Sequence, residues 1–273
     1  LSLTLGGGEV RPIDMAQAFG VLANSGVKVP MISILKVEDW KGKVYEETKI
    51  DEMVDEKIMD PEVPFIITHM LLDNNARSAA FGESSYLNVA GHSEVAVKTG
   101  TTNDRRDNWT IGYTPQIVTV VWVGNNNNTP MGGAVSGISG ASPIWNRVMR
   151  FALNKSEKGE YNEEDKGHAW MQQPSGVIGT NICNVTGLLP PGPNGTGCAT
   201  RFEYFLKDTV PTKTDGERVD LPVNKTNGQI ARPDTPPDQI EMQNHQIYYD
   251  PLKTIYCVDC QLPTDPIVVN YPL

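Results

Sequence analysis

The stretch Val95-Ala96-Val97-Lys98-Thr99-Gly100-Thr101-Thr102, followed by Asp107-Asn108-Trp109-Thr110-Ile111-Gly112-Tyr113-Thr114-Pro115, decides how this chain is read. Its first part is an apolar, β-branched run that ends on an ammonium, hydroxyls and a glycine. A polar turn and a second β-rich run follow, closed by proline, so the pair reads as two strands. Strands near 94–102, 107–113 and 117–124 are spaced as a meander. Working outward, Pro12 to Asn24 has helical periodicity, with Met15, Ala16, Phe19, Leu22 and Ala23 on one face and Gly26 near the C-cap. Strands near 31–38 and 43–46 flank a turn at Trp40-Lys41-Gly42. Asp60 and Pro61 open a helix to about Asn74. Ser142 and Pro143 open another to about Asn154, expected to bury Ile144, Trp145, Val148, Met149 and Ala152. The fold class is α/β, an antiparallel sheet flanked by helices.

Lys98-Thr99-Gly100 is also one element of the serine acyl-transfer apparatus of penicillin-binding proteins and serine β-lactamases. The tripeptide alone is a weak signal, and its surroundings make it specific. Leu5-Gly6-Gly7-Gly8-Glu9-Val10 leads into Pro12-Ile13-Asp14-Met15-Ala16, and Ala23-Asn24-Ser25-Gly26 follows. After them come Val97 to Thr102 with Asp107 and Trp109, then Gly112-Tyr113-Thr114-Pro115, Val121-Trp122-Val123-Gly124 and Ser142-Pro143-Ile144-Trp145. In these blocks and their order, residues 1 to about 155 resemble the C-terminal half of the transpeptidase domain of class A (bifunctional) penicillin-binding proteins.

The chemistry of acyl transfer fits the residue types. Lys98 supplies cationic charge near a nucleophile and a substrate carboxylate. Thr99 and Thr101 offer hydroxyls to that carboxylate, with Thr102 beside them, and the Thr101 amide can face a developing oxyanion. Gly100 removes a side chain where substrate backbone must lie close. The resemblance gives Asp107 and Trp109 supporting roles. The bland reading, a solvated lysine at the end of an ordinary strand, loses to the context.

The departures matter equally. In that family the nucleophile sits in an upstream Ser-x-x-Lys motif, followed by Ser-x-Asn, and both precede the Gly-Gly-Gly-Glu segment. Both are therefore expected before Leu1, and the chain reads as part of a longer protein, inactive alone. Ser33-Ile34-Leu35-Lys36 fits Ser-x-x-Lys, but it lies in an apolar, β-branched run read as strand, where positions three apart point to opposite faces. It is a decoy. Tyr86-Leu87-Asn88 imitates a rarer form of the second motif but reads as loop.

The chain has 273 residues, 39% hydrophobic and 21% charged, ordinary for a globular protein with an ample core. A net charge of −10 argues against nucleic acid or an anionic membrane surface as partner. The longest apolar run, Ile117 to Val123, is strand-sized. His69 reads as a helix-packing residue, and His92, His168 and His245 lack metal-site spacing.

Residues 156–175 read as a charged linker between a 1–155 domain and a β/loop-rich extension over 176–273, where proline and glycine are frequent. All four cysteines lie in that extension: Cys183, Cys198, Cys257 and Cys260. Disulfides pairing Cys183 with Cys198 and Cys257 with Cys260 are the first expectation. A zinc site using Cys257-x-x-Cys260 and free thiols remain alternatives.

The resemblance implies a peptidoglycan D,D-transpeptidase acting on D-Ala-D-Ala stem peptides and acylated by β-lactams, with no metal or organic cofactor. It also implies an upstream glycosyltransferase domain, a membrane anchor and an extracytoplasmic location in the parent chain. A D,D-carboxypeptidase or β-lactamase-like hydrolase, and a non-catalytic wall-binding module of the same fold, are the alternatives.

Overall fold

Pro12 fixes its φ at a helix position that needs no N–H donor, and in the computed structural model helix α1 runs over Pro12–Ala23. The structure describes residues 8–50, 55–133, 136–158, 170–192, 198–216, 218–249 and 254–260. Leu5 to Gly7 of the glycine-rich block and most of the 156–175 linker lie outside them. Two units form, 1–175 and 176–273.

In the first unit α1 closes through Gly26, whose N–H reaches the Val21 carbonyl at 2.8 Å. Its φ is +94°, and an added Cβ would stand 2.3 Å from the Met59 carbonyl oxygen, so only glycine fits. Strand β1 (Val27–Lys28) pairs with β4 (Glu56–Lys57), and β2 (Lys36–Glu38) forms a hairpin with β3 (Val44–Glu47). The expected strand over 31–38 shrinks to β2, because only Lys36 to Glu38 find partners in β3. Helix α2 covers Glu62–Leu72, and a further helix that the periodicity missed, α3 (Asn74–Phe81), starts at once. Asp73 caps α3, its carboxylate accepting from the Asn75 and Ala76 amides.

The meander follows as β5 (Ala96–Thr101), β6 (Asp107–Tyr113) and β7 (Val118–Gly124), in that spatial order. Helix α4 spans Ser142–Glu157. Alternation divides the sheet into two faces. On one, Ala96 and Tyr113 pack with Ala23, Phe19 and Leu22 of α1 and with Leu71 and Leu72 of α2. On the other, Val95 and Val97 pack with Trp145, Met149 and Leu153 of α4. Helices thus cover both faces. The α4 burial differs from expectation: Trp145, Met149 and Leu153 face the sheet, while Ile144 and Val148 remain 50% and 46% exposed. One narrow i, i+4, i+8 stripe meets a three-stranded sheet, and the neighbouring apolar positions face away.

The second unit is antiparallel β. Strands β8 (Val177–Cys183) and β9 (Thr200–Leu206) form a hairpin, and β10 (Arg218–Asn224), β11 (Ile240–Tyr249) and β12 (Ile255–Cys257) a three-stranded sheet. Leu221, Ile247, Cys257 and Cys260 make its small core. Strands β10 and β11 pair over seven residues each.

Candidate active site

The register of β5 on β6 decides which backbone groups are free. Thr102 donates its N–H to the Asp107 carbonyl at 3.1 Å, so this opposed pair is a hydrogen-bonded one. In an antiparallel ladder such pairs alternate with pairs whose polar groups point away from each other. Gly100 opposite Trp109 and Lys98 opposite Ile111 are therefore bonded; Thr101 opposite Asn108 and Thr99 opposite Thr110 are not. The N–H and C=O of Thr99 and Thr101 accordingly point to the outer edge of β5, where no described strand pairs.

Side chains complete that edge. Lys98 is exposed and donates from Nζ to the outward Thr99 carbonyl at 2.7 Å. Thr101 is exposed, and its Oγ1 accepts the Gly137 N–H at 2.9 Å. Gly100 lies beside Trp109, whose Cβ is 3.4 Å from where a Gly100 Cβ would be.

Asp107 locks the strand ends together. Its amide donates to Thr102 Oγ1 at 2.9 Å, Thr102 Oγ1 donates back to its carboxylate at 2.9 Å, and Trp122 Nε1 donates to the other carboxylate oxygen at 2.9 Å. The intervening turn holds Asp104 and Arg105 at φ of +57° and +56°, a region costly for side chains other than Asn and Asp. Arg105 and Arg106 spend guanidinium hydrogens on the carbonyls of Gly133 and Asn128. So Lys98, Thr99, Thr101 and the Asp107 clamp come together, while Trp109 meets the site through Gly100.

Behind them lies a buried polar chain that strand reading did not reach. Thr110 and Ser142 are fully buried, their hydroxyls 2.9 Å apart, and both approach the Gly137 carbonyl. Residues 132–141 are glycine-rich and carry no strand or helix pattern in the sequence, so the usable signal was the small residue Gly137 itself.

The other candidates fall away from this edge. Ser33 sits in a bend rather than on a helix, and Lys36 pairs with Glu38 at 2.6 Å. Tyr86 to Asn88 is loop. A cavity of about 450 Å³ between Arg77, Leu87 and His92 is lined by none of residues 98–102. His92 is buried against Glu94, Nδ1 to Oε1 2.9 Å. His69 contacts Phe65, ring centroids 4.3 Å apart, and burial holds its pKa below the ordinary value.

In the second unit the sulfurs are joined as Cys183–Cys198 and Cys257–Cys260. Asp259 organises the latter turn, accepting from the Gln246 amide and Arg218 and contacting His245. Burial pushes its carboxyl upward, but those partners together hold it below the usual carboxylate range.

Residues 1–150 match the penicillin binding protein transpeptidase domain, and residues 173–220 match the C-terminal domain of penicillin-binding protein 1A. Over 234 residues, 84% of this chain, the sequence is 31% identical to a penicillin-binding protein 1A of Clostridium botulinum (strain Langeland), covering 26% of it. Over 183 residues, 66% of this chain, it is 35% identical to penicillin-binding protein 1A of Neisseria lactamica, covering 21% of that protein. The crystal structure of penicillin-binding protein 1A from Haemophilus influenzae superposes with a TM-score of 0.61 at 27% identity, over 78% of this chain and 34% of that one. The chain thus spans about a quarter of the length of the curated relatives it matches. No helix among the described residues is long and apolar enough to cross a membrane. With over half of its residues matched to one domain and Lys98-Thr99-Gly100 on an open sheet edge, this chain belongs to the penicillin-binding protein transpeptidase family.

Proposed function

We propose that the β5 edge is one wall of the acyl-transfer site of a peptidoglycan D,D-transpeptidase. The observation that carries this reading is the outward N–H of Thr101 and C=O of Thr99 beside an exposed Lys98. An extended stem peptide can add to that edge as a strand, taking main-chain hydrogen bonds. The Thr101 N–H then faces the oxyanion, Thr99 and Thr101 hydroxyls meet the terminal carboxylate, with Thr102 at the wall's end, and Lys98 supplies positive charge. A serine from an upstream Ser-x-x-Lys segment attacks the carbonyl of the penultimate D-alanine, and the C–N bond breaks to release the last alanine. An amine of a neighbouring stem then displaces the serine from the ester. β-Lactams acylate the same serine.

The relatives' names support penicillin binding, the matched domain supports transpeptidation, and the two disulfides suit an oxidising, extracytoplasmic compartment. In the parent protein a membrane anchor and a glycosyltransferase domain would precede this chain.

Fluorescent penicillin followed by denaturing electrophoresis tests the reading. The intact protein is expected to label, and this chain alone to stay unlabelled because Ser33 is not on a helix beside its lysine. An adduct on Ser33, or an intact protein that never labels, overturns it. Supplying an amine acceptor separates transpeptidation from hydrolysis.

A further inference from the structure

We infer that Gly137, held in place by Thr110 and Ser142, is a positioning residue that orients the Thr101 hydroxyl to donate to the carboxylate of the acyl donor. The inference rests on the reading of the β5 edge given above and adds to it the device that sets the direction of one hydroxyl. A threonine hydroxyl has one proton and can either donate or accept toward a given neighbour. The Gly137 N–H, 2.9 Å away, occupies Thr101 Oγ1 as an acceptor. No described residue accepts the Thr101 proton, and the side chain is exposed, so that proton is left for a ligand.

The loop is fixed from its other side. The Gly137 carbonyl accepts from Ser142 N at 3.0 Å, Ser142 Oγ at 2.8 Å and Thr110 Oγ1 at 3.2 Å. Thr110 and Ser142 are 0% exposed, so water does not compete for these bonds. The chain therefore runs from the start of α4, across β6, through Gly137, to the hydroxyl at the edge. Only glycine fits the middle: a Cβ there would lie 2.9 Å from the Gly100 carbonyl oxygen, 3.0 Å from Thr99 Cβ and 3.1 Å from the Trp109 carbonyl oxygen. Two of those three are backbone atoms of the sheet, which do not yield, so any side chain lifts the loop off Thr101.

The test compares acylation of the intact protein by a penicillin and by the methyl ester of the same penicillin. The ratio of the two second-order rates isolates what the enzyme gains from the carboxylate. Thr110→Val, Ser142→Ala and Gly137→Ala are each expected to lower that ratio about tenfold, as for one misdirected donor. Thr110→Ser keeps the hydroxyl and should hold the wild-type ratio, so the Val/Ser pair remains decisive even if Gly137→Ala fails to fold. An equal loss toward both compounds, or an unchanged ratio in folded variants, overturns the inference and leaves these residues as loop supports. Thr101→Val separates the two levels. If it lowers the ratio while the three other variants do not, the positioning device alone is wrong; if it leaves the ratio unchanged, the reading of the β5 edge fails with it.

Discussion

Thr99 can be tested with a single methyl-for-hydroxyl exchange. Thr99→Val in the intact protein preserves shape and β-branching on β5 but removes a hydroxyl proposed to hold the substrate carboxylate. Acylation is expected to slow by roughly ten- to a thousandfold, the range for one oriented donor. Stopped-flow acylation checks this, and an unchanged rate would move the carboxylate site elsewhere. Gly112 tests packing instead. Its Cβ would lie 2.3 Å from Trp145 Cζ2 and 2.8 Å from the Ala96 carbonyl oxygen, so Gly112→Ala forces the sheet and α4 apart. A loss of about 1–3 kcal/mol is expected, seen as a lower urea midpoint at unchanged slope. Residues such as Lys98, Thr99 and Asp107 were legible because their types announce chemistry. Thr110, Ser142 and Gly137 were not, because small polar residues acquire a role only when distant segments meet.

Elements were legible where their own sequence carries the signal. The meander and α1 follow from alternation, periodicity and Pro12, and their ends move by only a residue or two. Helix α3 was missed because the expected helix stopped near Asn74, and Asn74 to Phe81, capped by Asp73 one residue after α2 ends, buries none of its residues and so shows no apolar stripe. The exposed flank of α4 was equally hidden, since periodicity marks an apolar stripe but not how wide a partner it meets. In the second unit the hairpin β8–β9 has no third strand among the described residues, and an isolated hairpin is marginal in water. Its Cys183–Cys198 bond closes a separation of 15 residues, whereas Cys257–Cys260 closes only 3. Restricting the unfolded chain contributes about 3 kcal/mol in the first case and about 2 kcal/mol in the second. Reduction should therefore expose the β8–β9 amides first, with β10–β12 slower because Leu221 and Ile247 still pack. Hydrogen exchange with and without reductant checks the order; equal protection before and after reduction would show that the bonds contribute little.

At the scale of the whole molecule, the division near residue 175 leaves β5, the strand proposed to bear the chemistry, in the first unit and every cysteine in the second. Reductant is thus expected to leave residues 1–155 unaffected. The outward amide and carbonyl groups of β5 carry a different consequence for the chain in isolation. A row of backbone groups that no neighbouring strand pairs recruits any extended segment, including the same edge of another copy. Lys98 is the brake, because two such edges brought together oppose like charges. Salt weakens that brake, the screening length falling from about 10 Å at 0.1 M to about 3 Å at 1 M. Sedimentation of the isolated chain should show self-association that grows with concentration and, unlike an ion-pair contact, strengthens with salt. Lys98→Glu would retain the repulsion, and Lys98→Thr would release it at low salt. A strand edge proposed to stay open for a substrate is also one that the protein must keep from closing on itself.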